Sequence, residues 1–73
     1  MKDFYDAWFR CQQYHQQYGV TLEWSLSGFT VTLNGSYGAD HITKTLHISD
    51  LVNVDVKREM IRYEEIVMKG LSN

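Results

Sequence analysis

The sequence predicts an α+β domain of order α-β-β-β-α, in which a three-stranded antiparallel meander carries both helices on its one apolar face. Three patterns predict it. Val20 to Leu26 and Phe29 to Gly35 alternate apolar and polar residues and are separated only by Ser27-Gly28, the pattern of a hairpin with one covered and one wet face. Apolar residues upstream, and again downstream of Asp50, instead recur at three- and four-residue steps, the period of an amphipathic helix. No proline, repeat or linker interrupts the 73 residues, so residues 1–73 read as one domain.

In the first helix, Phe4, Ala7, Trp8, Cys11, Tyr14, His15 and Tyr18 share one face, and Asp6, Arg10, Gln13 and Gln17 lie opposite, toward water. Asp3 suits the free N–H groups at its start, and Gly19 suits its end. Tyr5 and Phe9 fall cleanly on neither side. With Ser27-Gly28 as the loop, Leu26 faces Phe29, Trp24 faces Val31 and Leu22 faces Leu33, so one sheet face is wholly apolar. A slip of one residue would turn that set toward solvent.

Gly35 to Asp40 reads as a loop, followed by a third strand in which Ile42, Leu46 and Ile48 alternate with Thr43, Thr45 and His47. Lys44 interrupts its apolar face, a device that discourages pairing at an edge strand. Ser49, Asp50 and Asn53 are competent caps, which places the start of the second helix between Asp50 and Val54 and its end near Lys69, before Gly70. Val52, Val56, Met60, Tyr63, Ile66, Val67 and Leu71 form its main apolar arc. Val54, Ile61 and Met68 form a second stripe, and this stripe and the Tyr5/Phe9 pair are either buried in a seam between the helices or left as an exposed interface.

The net charge of −2 argues against a basic surface that neutralises phosphates, and nine carboxylates are too few for a mimic of DNA by charge alone. The lone Cys11 allows no intramolecular disulfide. With no signal-like or membrane-length apolar run, the expected setting is the cytoplasm.

Individual chemistries are weakly marked. Cys11 and His15 stand one turn apart, but both belong to the apolar stripe and no third, orienting group accompanies them, so core packing is the expected role. His41 and His47 flank the third strand without the spacing of a metal set. No catalytic residue, cofactor or metal site is expected.

The element order resembles the double-stranded RNA-binding domain. That family carries a lysine-rich start to its second helix, whereas Ser49 to Asp55 here holds no base and only Lys57 and Arg58 follow, so RNA binding is not expected. In size, acidity and element order the chain also resembles small phage and mobile-element proteins that disable host defences, some anti-CRISPR inhibitors among them. That resemblance implies a non-enzymatic, stoichiometric inhibitor that binds a host protein in the host cytoplasm. Tyr37, Glu23, Asp40, Ile61, Glu64 and Met68 are the candidate protein contacts. The alternatives are a nucleic-acid-binding regulator using Arg58, Arg62 and Lys69, and a structural homodimer.

Overall fold

A computed structural model describes residues 2–72 and has the expected order: α1 (Lys2–Tyr18), β1 (Thr21–Ser27), β2 (Thr30–Tyr37), β3 (Asp40–His47), a 3₁₀ turn (Ile48–Leu51) and α2 (Val56–Ser72). The strands form one antiparallel sheet in the order β1-β2-β3. α1 packs beneath β1, and α2 packs beneath β2 and β3, on the face that carries Leu22, Leu33 and Leu46. The core is built from Cys11, Val20, Leu22, Leu33, Val67 and Leu71, with Tyr14, Trp24, Ile42, Tyr63 and Met68 packed around it. No helix of the described residues is long and apolar enough to cross a membrane.

Both hairpins turn on two residues, and here the structure corrects the sequence reading. The first turn is Gly28-Phe29, not Ser27-Gly28, so the register moves by two: Leu26 faces Val31, Trp24 faces Leu33 and Leu22 faces Gly35. An even shift leaves every side chain on its expected face. The reason is turn chemistry: Gly28 takes φ +60° at the first turn position, the type II′ arrangement that matches the twist of paired strands. Phe29 is thereby displaced from the inner face to the turn, where it is 72% exposed.

Gly38 repeats the device at φ +61°, and the Gly35–Asp40 loop expected from sequence does not exist. β2 instead runs through Gly35 and Ser36 to Tyr37, and β3 begins at Asp40. Gly35 is needed for closeness. A Cβ there would stand 2.5 Å from Val67 Cγ1, so its absence lets α2 lie directly on β2.

α2 starts at Val56, outside the expected range. Its cap is Asp55, whose Oδ1 accepts from the Arg58 amide at 3.2 Å. Ser49 and Asp50 serve the preceding 3₁₀ turn, where Asp50 Oδ2 accepts from the His47 amide and His47 Nδ1 accepts from the Ser49 amide. Val52 and Val54 therefore precede the helix and stand exposed, so the Val54/Ile61/Met68 stripe is not one helical feature. At the other end the helix passes through Gly70 to Ser72.

Candidate functional site

The middle of the molecule holds a carboxylate with no exposure to solvent. Glu64, on the buried face of α2 between Met60 and Val67, is met by side chains from two other elements. Arg10 of α1 donates from Nε to Oε1 at 2.8 Å and from Nη2 to Oε2 at 2.9 Å, the paired geometry that suits guanidinium and carboxylate. Trp24 of β1 donates from Nε1 to Oε2 at 2.9 Å, and the Tyr14 hydroxyl donates to Oε1 at 3.3 Å. Four bonds satisfy both oxygens, which is what allows a charge to remain inside. The node ties α1, β1 and α2 together.

Its field shapes the neighbours. The hydrogen bond to Glu64 raises the Arg10 pKa, against the opposing pull of burial. Burial first and the Glu64 charge second push the Cys11 thiol up to about 12, and the same causes carry Tyr14 to about 12. That is the reverse of an activated nucleophile, which needs a lowered pKa. His15 does not partner Cys11; its Nδ1 stands 3.5 Å from Thr21 Oγ1.

Among the sequence-predicted contacts, Glu64 is corrected. It lies on the inner face of α2 and cannot touch a partner, because its carboxylate is enclosed by Arg10, Trp24 and Tyr14. Arg10, expected to be wet, is drawn into the same node. Tyr37 and Asp40 are brought together as the pair that closes the β2–β3 turn, both exposed, with the Tyr37 ring beside Gly19 at the end of α1. Glu23 is exposed on the opposite sheet face, in a row with Asn34 and Thr43, where Thr43 Oγ1 donates to Asn34 Oδ1 at 2.9 Å. Ile61 and Met68 lie half-buried on α2. The six residues do not form one surface.

A different surface does form, in which Tyr5 and Phe9 take the exposed alternative and Trp8 joins them. Trp8, expected beneath the sheet, is 58% exposed, and Tyr5 and Phe9 on the same side of α1 are 71% and 62% exposed. The rings of Trp8 and Phe9 meet edge to face with centroids 5.2 Å apart. One turn before Trp8, Phe4 is one wall of a cleft of about 300 Å³ that Asp3, Leu26, Val31, Ile48, Leu51, Val52 and Val56 also line. The helices do not roof this end of the sheet, and Leu26, at the last inner position of β1, is left half in water.

The bases of α2 are partly engaged: Arg62 Nη2 donates to Glu59 Oε2 at 3.3 Å, and its guanidinium lies 4.9 Å from the Tyr63 ring centre. His47 is occupied by Ser49 and stacks on Phe29 at 6.0 Å. Comparison with family models, with curated proteins and with solved structures finds no match, so the functional reading rests on the geometry of this chain.

Proposed function

We propose that this chain is a non-enzymatic protein-binding module that acts by occupancy, as a stoichiometric inhibitor of a host-defence protein of the kind phages and mobile elements encode. The observation that supports it is the distribution of side chains. The ionised groups of the interior are consumed in a closed node, while large aromatics stand in water on rigid elements. Aromatic side chains fixed by a helix or a tight turn are the usual anchors of protein interfaces.

Tyr37 with Asp40 at one end of the sheet offers an aromatic anchor beside an acid, a pairing suited to a basic or polar client surface. The test is capture of a client from a host lysate, followed by a titration with the purified client across a salt series. A 1:1 complex that survives high salt and weakens at least tenfold in Tyr37→Ala/Asp40→Lys is the expected result. Steep loss of binding with salt in the wild type, with nucleic acid as the captured species, would replace this reading by the nucleic-acid alternative.

A further inference from the structure

The last turns of the two helices enclose a groove, one wall of which the interior node holds in place. Tyr14 and Tyr18, one turn apart on α1, face Met68 and Ser72 of α2 across a space of about 310 Å³, with Glu65 and Lys69 of α2 also on its walls. That volume is at the small end of the ~300–1,000 Å³ of ligand pockets, so it suits one side chain rather than a cofactor. The two rings differ in freedom. Tyr14 is half-buried and its hydroxyl is anchored on the Glu64 carboxylate at 3.3 Å, whereas Tyr18 stands 58% exposed.

These walls favour a cation. The tyrosine faces carry the negative side of the ring quadrupole, and α1 ends at Tyr18, where the helix dipole places partial negative charge. Glu65 adds a full charge. Although Glu65 and Lys69 are four apart on α2, neither takes part in an ion pair among the described residues, so the carboxylate has no basic partner. The Ser72 hydroxyl turns back to donate to the Lys69 carbonyl at 3.4 Å. Lys69 is the opposing charge, on a long, exposed side chain whose ammonium can turn to water.

We propose that this groove seats an arginine side chain of the client protein, its guanidinium against the Tyr18 ring and its donors on Glu65. The inference rests on reading the chain as a protein-binding module and names what that module grips. A guanidinium is planar and weakly hydrated, stacks on aromatic faces and offers a fork to a carboxylate, whereas an ammonium is a strongly hydrated point charge. Arginine therefore fits these walls better than lysine. The position agrees with the contact proposed above, because Tyr18 is followed by Gly19, beside which the Tyr37 ring stands. The groove and the Tyr37–Asp40 pair thus share one end of the molecule, and Asp40 brings a second carboxylate to it.

Titration of the full chain with N-acetyl-arginine amide, followed by NMR at the Tyr14 and Tyr18 rings and the Met68 methyl group, tests this. The lysine and citrulline analogues serve as comparisons, citrulline keeping the shape of the guanidinium without its charge. Saturable shifts with a millimolar midpoint are expected for arginine, weaker binding for lysine and none for citrulline. Tyr18→Ala and Glu65→Gln are each expected to weaken arginine binding about threefold, and Tyr18→Phe, which keeps the ring, to leave it unchanged. Lys69→Ala removes the opposing charge and is expected to tighten it. All four positions substituted are exposed on helix surfaces or keep their ring, so far-ultraviolet circular dichroism is expected to match the wild type. No saturation with arginine, equal or tighter binding of lysine or citrulline, or an unchanged midpoint in Tyr18→Ala overturns the proposal. If the client is captured and its affinity is indifferent to Tyr18→Ala and Glu65→Gln, the groove fails while the binding function stands. A chain that binds the arginine probe with these dependences but captures no client keeps the site and removes the inhibitor reading alone.

Discussion

Arg10→Met is expected to destabilise the protein by about 3 kcal/mol, the lower part of the range for breaking a buried ion pair. The variant strands the Glu64 carboxylate among Met60, Val67 and the sheet with only the Trp24 and Tyr14 donors to hold it. The lower part of the range applies because the Arg10 side chain is 16% exposed, so water can reach the gap it leaves. Arg10→Met/Glu64→Gln keeps a carbonyl acceptor for the indole and lets the amide NH2 donate to the Tyr14 hydroxyl oxygen while removing the charge, and most of the loss is expected to return. Urea unfolding of the wild type, both single variants and the double variant yields the coupling between the two positions, expected at about 2 kcal/mol and favourable. Independent losses that merely add would show that the pair contributes no interaction of its own.

The second large effect is at Gly35. In Gly35→Ala the new Cβ meets Val67 Cγ1 at 2.5 Å, Leu22 Cδ2 at 2.9 Å and Leu71 Cδ1 at 3.0 Å. A branched valine on a helix cannot swing aside without moving α2, so the cost is that of overpacking, about 2 kcal/mol. For a domain of this length that corresponds to a drop in Tm of roughly 8–16 °C. Gly70→Ala is the internal comparison. Its Cβ also meets an atom at 2.5 Å, but that atom is the terminal Cδ1 of Ile42, which can rotate, and alanine favours the helix by about 1 kcal/mol. Thermal melts are expected to show Gly70→Ala within a few degrees of the wild type. Equal losses in the two variants would contradict the close approach of α2 to β2.

These two sites also mark where the sequence was legible. Alternation along Thr21–Ser27 and Thr30–Leu33 determines which side chains face the helices, and it survives a wrong turn position because both registers share parity. Turn chemistry carried information that the reading did not use: Gly28 and Gly38 each open a two-residue turn, and recognising the second would have converted the supposed loop into strand. Gly35, read as a loop residue, is a packing position.

The interior node was half visible. Glu64 follows Met60 by four residues and precedes Val67 by three, so an acid stood within an apolar arc, and Arg10 and Tyr14 are one turn apart on α1. Periodicity shows that such a carboxylate faces inward but not which side chain from another element meets it, because that depends on how the helices cross. The choice between seam and exposure for Tyr5 and Phe9, and the exposure of Trp8, were hidden for the same reason. Trp8 lies on the edge of the α1 stripe, and only the tertiary arrangement decides whether an edge position is covered.

The two tryptophans separate the inside of this molecule from its exposed aromatic surface, and their indole N–H groups report on both in one spectrum. Hydrogen exchange followed by NMR is expected to show the Trp24 indole proton protected by its bond to Glu64 and the Trp8 indole proton exchanging as freely as in an unfolded peptide. Equal exchange at the two indoles, or protection of Trp8 alone, would contradict the account.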